Sequence, residues 1–305
     1  MKKWVFLLLL LCLGLIFVNM NPFSEPKVKI QNYNQSENEI EGAGRIFENN
    51  QKIEISEDQI YQGALLLVNS ENPVHQESIK SDIVNLSANH ELAQGYMLLD
   101  NNIYLSEDIA HKFSKMVTAA EKEGLQHFAI TSGFRDFDEQ SVLYHDMGSA
   151  YALPPGYSEH NLGLSLDVGS TQMKMAVAPE GKWIKENAWK YGFILRYPKD
   201  KTAITGIQYE PWHIRYVGLP HSVIMEEKNF SLEEYLDFLK EQKFISTTIH
   251  GEKYEISYYP VTKDTNIHIP SNGRWEISGN NMDGVIVTMF PNTTNTNTQE
   301  GRMAE

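Results

Sequence analysis

The chain has 305 residues, a formal net charge of −14 at pH 7 and a single cysteine, Cys12. The acidic balance argues against nucleic acid and anionic lipid as partners, because both carry negative charge. Beyond Cys12 the chain can form no disulfide framework, no thiolate zinc site and no cysteine nucleophile.

Residues 1–20 are expected to hold the chain in a membrane. Lys2 and Lys3 precede an apolar run from Trp4 to Val18, which is short for a helix that needs about 20 apolar residues to span a bilayer. No small-residue cleavage site follows the run, so we expect an uncleaved anchor with a cytoplasmic N-terminus and the rest of the chain on the outer face of a bacterial membrane. A cleaved secretory signal is the alternative.

Residues 21–58 are polar, rich in Asn, Gln, Glu and Ser, and without periodicity, which predicts a flexible stalk. The main folded domain is predicted to span residues 59–243. Its first element is expected to be a strand from Tyr61 to Asn69, ended by the turn residues that follow.

A helix is predicted after Ser106, whose side chain can cap it, with an apolar face that runs to Ala120 before Gly124. A buried strand follows at residues 127–132, so Arg135 lies just past a strand end, where side chains often face a site. A further helix, capped by Asp136 or Asp138, is expected to run to Gly148.

Residues 164–168 alternate as a strand, with Leu164, Leu166 and Val168 on the apolar face and Asp167 on the other. Later elements are a helix near 183–191, strands at 193–197 and 214–217, and a helix capped by Ser231. Residues 244–291 are predicted to form a small β-rich region, and residues 292–305 a disordered tail.

His160, Asp167 and His213 offer two imidazoles and one carboxylate, a set that can hold Zn²⁺ and leave its fourth position open. Glu210 is the candidate base. Glu210 and His213 would face opposite sides of a regular strand, but Pro211 favours a strand that begins at Trp212 and a Glu210 on the entering loop. The alternative is a surface carboxylate and a packed core histidine.

Arg135 is the third element of this candidate site. A fixed guanidinium beside a metal can stabilise the oxyanion that forms in peptide hydrolysis. The alternative is a surface ion pair with Asp136 or Asp138, worth at most ~1 kcal/mol.

Four segments together resemble one family, the VanY-type D-alanyl-D-alanine carboxypeptidases, which are zinc enzymes linked to glycopeptide resistance. The segments are Ser132-Gly133-Phe134-Arg135, Gln140, Ser158-x-His160-x-x-Gly163-x-Ser165-x-Asp167 and Glu210-x-Trp212-His213. The family usually has Ala where Ser165 stands, and both residues are small. The resemblance implies an α+β fold, with a central antiparallel sheet and flanking helices.

The resemblance also implies the roles of the site residues. One Zn²⁺ would be bound by His160, Asp167 and His213. Glu210 would be the general base and Arg135 would polarise the substrate carbonyl, while Gln140 and Ser158 would hold the terminal carboxylate of the substrate.

The implied activity is removal of the terminal D-Ala from peptidoglycan precursors that end in D-Ala-D-Ala, which would take away the dipeptide that vancomycin binds. A D,D-dipeptidase or an L,D-endopeptidase would use the same residues. A catalytically silent wall-binding module would keep the fold and the zinc without the activity. Anchoring outside the cell favours the carboxypeptidase, because the free dipeptide is made in the cytoplasm. The presence of Glu210 and Arg135 disfavours the silent module.

Overall fold

The computed structural model describes residues 31–32, 50–148 and 152–291. The strands are β1 (Gln31–Asn32), β2 (Asn50–Glu54), β3 (Ile83–Asn85), β4 (Met97–Leu98), β5 (Tyr104–Ser106), β6 (Phe128–Ser132), β7 (Ser165–Ser170), β8 (Phe193–Leu195), β9 (His213–Tyr216), β10 (Phe244–Ile249), β11 (Glu252–Pro260), β12 (Asn266–Pro270), β13 (Trp275–Gly279) and β14 (Gly284–Met289). The α-helices are α1 (Glu107–Glu121), α2 (Phe137–Met147), α3 (Pro179–Asn187), α4 (Thr202–Thr205), α5 (His221–Lys228) and α6 (Leu232–Gln242).

The central sheet has five strands in the order β4-β6-β7-β9-β8. Its pairs are antiparallel, except for the parallel pair of β4 with β6. The predicted faces of β7 are confirmed, because Leu166 and Val168 are fully buried while Asp167 keeps partial exposure on the other side. The predicted α+β class with a central antiparallel sheet is therefore confirmed, with the short strand β4 as the one parallel addition in the described sheet.

Helices α1 and α3 cover the apolar face of this sheet and share one hydrophobic cluster with it. The predicted cap of α1 is confirmed, since the Ser106 hydroxyl accepts a hydrogen bond from the backbone N–H of Ile109 at 3.4 Å. Of the two caps considered for α2, the structure selects Asp136, which accepts from the N–H of Glu139 at 2.7 Å. The other face of the sheet is left for the polar groups.

A second five-stranded sheet, in the order β1-β10-β11-β14-β13, is antiparallel throughout. Its buried residues Ile245, Ile256 and Ile286 belong to one hydrophobic cluster with Leu236 and Leu239 of α6. The β-rich character predicted for residues 244–291 is confirmed, and these strands pack directly on the helices that precede them.

The strand predicted from Tyr61 to Asn69 is wrong. A 3-10 turn ends at Tyr61, and the chain then runs extended without a strand partner. Leu65 and Leu67 lie in the cluster of the second sheet, whereas Leu66 and Val68 lie in that of the central sheet. The apolar residues predicted to form a strand instead divide their side chains between two cores.

The predicted stalk does not extend to residue 58. β2 pairs antiparallel with β12, and Ile55 directly after it is 1% exposed in a third apolar cluster. Two isoleucines at alternate positions, Ile53 and Ile55, supply the apolar contact within a polar stretch. Residues 21–30 and 33–49 of the stalk, the N-terminal anchor and the tail at 292–305 lie outside the described residues.

No helix within the described ranges is long and apolar enough to cross a membrane. The predicted anchor at residues 1–20 lies outside these ranges.

His221 at the start of α5 connects three elements through its buried ring. Its Nδ1 lies 2.7 Å from the Tyr235 hydroxyl of α6, and its Nε2 lies 2.9 Å from the Thr288 hydroxyl of β14. Burial lowers the pKa of His221 to about 3. The unfolded chain therefore binds a proton between about pH 6.5 and 3 that the folded chain does not, so acid destabilises the fold.

We predict that this histidine lowers the free energy of unfolding by about 2 kcal/mol between pH 8 and pH 5, and that His221→Gln removes this component. Urea unfolding of the metal-free protein at pH 5, 6, 7 and 8 measures it. His145→Gln is the control, because that side chain is 90% exposed. Equal pH slopes for wild type and His221→Gln would contradict the assignment.

Candidate active site

The register of the central sheet places two predicted ligands side by side. Asp167 on β7 is paired with His213 on β9, and its other neighbour is Ser132 at the end of β6. Residues opposite one another on adjacent strands point to the same face. The Asp167 carboxylate consequently lies 3.0 Å from Nδ1 of His213.

A short turn places the third predicted ligand, His160. Glu159–Asn161 form a 3-10 turn that Ser158 caps. The backbone N–H of His160 donates to the Ser158 hydroxyl at 3.3 Å. Nδ1 of His160 lies 2.6 Å from the carbonyl oxygen of Gly133, and its Nε2 lies 3.4 Å from Asp167. The carbonyl fixes the ring so that Nε2 faces the carboxylate.

His160, Asp167 and His213 each offer one ligand atom, and these atoms all lie within 4.8 Å of one another. Two nitrogens and one oxygen match the donor set of a three-ligand zinc site with one open position. The contact of His160 Nδ1 with a backbone carbonyl also fits, because metal-binding histidines donate their other ring N–H to such an acceptor. The structure thus brings the three predicted ligands together in an arrangement that can hold a metal ion.

The charges of this group are strongly coupled. Burial acts to raise the pKa of Asp167, but the two imidazoles outweigh burial and hold that pKa well below its ordinary value. Burial acts to lower the pKa of His213, but hydrogen bonds to Asp167 and Glu159 raise it to about 9. Without a metal, His213 is therefore a cation held between two carboxylates.

Glu210 lies on the loop before β9, as the position of Pro211 predicted. A tight turn joins Glu210 to His213, whose N–H donates to the Glu210 carbonyl at 3.3 Å, and the Glu210 N–H donates to the Tyr197 carbonyl at 3.1 Å. Burial raises the pKa of the Glu210 carboxyl, and His213 opposes this in part. A carboxyl with a raised pKa beside a candidate metal site is suited to accept a proton from water.

Arg135 follows β6 and is tied to the turn that carries His160. The backbone N–H of Arg135 donates to the His160 carbonyl at 3.1 Å. The backbone carbonyl of Arg135 accepts from the side-chain amide of Asn161 at 2.7 Å. Burial lowers the pKa of the guanidinium, and the nearby Asp167 and Glu210 carboxylates oppose this. Its Nε is buried and has no hydrogen-bond partner among the described residues, so this group can donate to a ligand.

The two residues predicted to hold the substrate carboxylate are both buried. Gln140 on α2 is 1% exposed and its Nε2 donates to the Leu153 carbonyl at 2.7 Å. Ser158 caps the turn of His160 with its hydroxyl oxygen, which leaves the hydroxyl proton free to donate. Their role in binding the substrate carboxylate stays a prediction.

Glu159, the residue between Ser158 and His160, was missed by the sequence analysis. Its side chain is fully buried and accepts hydrogen bonds from Arg196 at 2.8 Å and Arg215 at 2.7 Å, and it lies 3.3 Å from Nε2 of His213. Burial acts to raise the pKa of Glu159, but Arg215 and Arg196 hold it well below its ordinary value. A signal was available in Arg215, which lies two residues after His213. It is the charged residue in a predicted strand whose other residues are Ile214, Tyr216 and Val217.

Comparison with known proteins points to one family. The VanY family of D-alanyl-D-alanine carboxypeptidases matches residues 102–219, which include every predicted site residue. A D-alanyl-D-alanine carboxypeptidase of Enterococcus faecium is 67% identical over 303 residues, 98% of this chain and 100% of that protein.

Two solved structures are similar in fold and sequence. The vancomycin-resistance D,D-dipeptidase VanXYg, in complex with a D-Ala-D-Ala phosphinate analogue, is 34% identical with a TM-score of 0.69, over 79% of this chain and 99% of that chain. The LD-carboxypeptidase LdcB is 31% identical with a TM-score of 0.51, over 60% of this chain and 88% of that chain.

We predict that Asp167→Asn lowers the affinity for Zn²⁺ roughly 100-fold or more. Loss of a group that only hydrogen-bonds to a metal ligand commonly costs 10–100-fold, and Asp167 would itself be a ligand. Competition with a chromophoric chelator measures the affinity, and far-ultraviolet circular dichroism checks the fold. Asp138→Asn on the exposed side of α2 is the matched control for loss of one negative charge. Wild-type affinity in Asp167→Asn would exclude this carboxylate as a ligand.

Proposed function

We propose, because the chain belongs to the VanY family of D-alanyl-D-alanine carboxypeptidases, that it removes the terminal D-Ala from peptidoglycan precursor peptides ending in D-Ala-D-Ala. The observation that carries this proposal is the convergence of His160, Asp167 and His213 within 4.8 Å, in a chain 67% identical to a D-alanyl-D-alanine carboxypeptidase. Loss of the terminal D-Ala removes the dipeptide end that vancomycin binds, and the chain thereby contributes to resistance.

The three convergent residues would hold one Zn²⁺. When bound, the zinc would supply a Lewis acid for the scissile carbonyl and would lower the pKa of water toward about 7. Asp167 is ionised over the physiological range because its pKa lies well below its ordinary value. Its negative charge and two neutral imidazoles would leave the site with a net positive charge for the reaction.

Glu210 would act as the general base. Its raised pKa brings it nearer to neutrality, where a carboxylate both accepts and returns a proton efficiently. It would take a proton from the attacking water as the oxygen–carbon bond forms. It would then give that proton to the D-Ala amine as the carbon–nitrogen bond breaks.

Arg135 would stabilise the negative charge that develops on the carbonyl oxygen. Its backbone is tied to the His160 turn, and its buried Nε is available to donate. A fixed cation in a site shielded from water stabilises an oxyanion by several kcal/mol, on the order of 3.

Gln140 and Ser158 would bind the terminal carboxylate of the peptide. One amide hydrogen of Gln140 is used by Leu153, which leaves the second for the substrate. The Ser158 hydroxyl accepts from His160 and can donate its own proton. The supporting observation is that both polar side chains are buried and that Ser158 caps the turn that carries His160.

A D,D-dipeptidase is the second candidate, because the structural match to the D,D-dipeptidase VanXYg extends over 99% of the VanXYg chain. Cleavage of the free dipeptide would need the same residues, so the substrates must be compared directly. The weaker likeness to LdcB supports an L,D-carboxypeptidase as a further candidate, whereas the L,D-endopeptidase considered from the sequence has no such support. A silent wall-binding module is disfavoured because the base and the guanidinium are both in place.

We also propose that residues 1–20 anchor the chain in the bacterial membrane, with the catalytic domain on the extracellular side. Lys2 and Lys3 before the apolar run support a cytoplasmic N-terminus. The polar residues that follow would separate the catalytic domain from the lipid.

We predict that Glu210→Gln lowers kcat for D-Ala release about 10²–10⁴-fold while zinc content is retained, because the amide cannot accept the proton. D-Ala is quantified from a pentapeptide ending in D-Ala-D-Ala and, in parallel, from the free dipeptide. Glu186→Gln on the exposed side of α3 is the control. Equal turnover by zinc-loaded Glu210→Gln would exclude the base, and preference for the free dipeptide would favour the dipeptidase.

We predict that the full chain sediments with membranes and keeps its first residue, whereas the double variant Leu8→Arg, Leu10→Arg does not insert. Each central arginine costs about 2.5–3.5 kcal/mol of insertion free energy. Fractionation, mass spectrometry of the N-terminus and protease access from outside the cell measure this. Asn34→Arg is the control, and a shortened chain in the medium would indicate a cleaved signal instead.

A further inference from the structure

The metal-binding face is supported from behind by one fully buried carboxylate, Glu159. Its Oε1 accepts from Nε of Arg196 at 2.8 Å and from Nη1 of Arg215 at 2.7 Å. Its Oε2 accepts from the Ser165 hydroxyl at 3.0 Å and lies 3.3 Å from Nε2 of His213. Each oxygen therefore has a distinct pair of partners.

The chemistry of these partners fixes which ring nitrogen of His213 carries hydrogen. An ionised carboxylate has no proton to donate, so its contact with Nε2 requires Nε2 to be the donor. We propose that Glu159 is a positioning residue that holds the Nε2–H tautomer of His213 and thereby presents Nδ1 to the metal, an inference that rests on the proposed function.

The two histidines then offer different nitrogens to the same ion. His160 donates Nδ1–H to the Gly133 carbonyl, which leaves Nε2 to face Asp167 at 3.4 Å. His213 donates Nε2–H to Glu159, which leaves Nδ1 to face Asp167 at 3.0 Å. In both rings the nitrogen that faces the carboxylate ligand is the one without a proton in the metal-bound form.

The arginines hold Glu159 in place because each is itself fixed on its far side. Arg196 donates two hydrogen bonds to Glu233 of α6, at 3.0 and 2.7 Å. Arg215 donates to the carbonyl oxygens of Ala64 at 3.0 Å and Leu66 at 2.9 Å. If the carboxylate rotated away from His213, the buried Arg215 guanidinium would lose the carboxylate that it contacts, which is strongly unfavourable.

This geometry gives Glu159→Gln a specific consequence. Guanidinium groups only donate hydrogen bonds, so the amide oxygen must face Arg196 and Arg215, and the amide NH₂ must face His213. The ring is then driven to the opposite tautomer, with Nε2 as acceptor and the proton on Nδ1. The metal must displace that proton and force two donors to face each other.

The test compares zinc affinity in Glu159→Gln and in Glu233→Gln, by competition with a chromophoric chelator at constant pH and salt. Both substitutions remove one negative charge beside Arg196, but only the first contacts His213. We expect a 10–100-fold loss of affinity in Glu159→Gln and near wild-type affinity in Glu233→Gln. Unchanged affinity in Glu159→Gln, or an equal loss in both variants, would overturn the proposal.

A second measurement needs no variant and decides the case if Glu159→Gln does not fold. In zinc-loaded wild type labelled with ¹⁵N-histidine, long-range ¹H–¹⁵N spectra should show His213 protonated at Nε2 and metal-bound at Nδ1. The reverse assignment would overturn the proposal. Wild type that binds zinc and releases D-Ala but has the reverse tautomer leaves the proposed function intact, whereas wild type that binds no zinc overturns both.

Discussion

A carboxylate between two guanidinium groups, all three excluded from water, is the interaction on which the rest of this structure depends. Isolated charges are too costly to bury, so Glu159, Arg196 and Arg215 can lie there only if each finds its partners. Those partners come from α6, through Glu233, and from the candidate metal site, through His213. The buried charges are paired only when these distant segments and the site adopt their positions together, so the fold and the geometry of the site depend on each other.

The extended segment from Ala64 to Val68 shows how the two sheets are joined. Its alternate side chains enter different hydrophobic clusters, and two of its carbonyl groups accept from Arg215. Two of its N–H groups bond to the C-terminal region, that of Leu65 to the Ser278 hydroxyl of β13 at 2.9 Å and that of Leu67 to the Asn280 carbonyl at 3.2 Å. A segment without a strand partner thus connects the β-rich C-terminal region to the strand that carries His213.

The parts that could be predicted from the sequence are those that local geometry determines. The polar face of β7 follows from the alternation of its residues, the cap of α1 from the Ser106 side chain, and the loop position of Glu210 from Pro211. The support of the site could not be predicted in this way. Glu159 has partners 37 and 56 residues further along the chain, so nothing near it in sequence distinguishes it from an exposed glutamate.

Asp167 and Glu210 show why burial alone does not determine what a carboxylate does. Desolvation opposes ionisation of both, but Asp167 has two imidazoles as direct neighbours and keeps a low pKa, whereas Glu210 keeps a raised one. Carboxyls whose environments drive their pKa values apart take different roles. Asp167 is suited to remain a charged ligand and Glu210 to exchange protons. Because Glu159 orients His213, which influences both carboxyls, the buried ion cluster contributes to that division as well as to the fold.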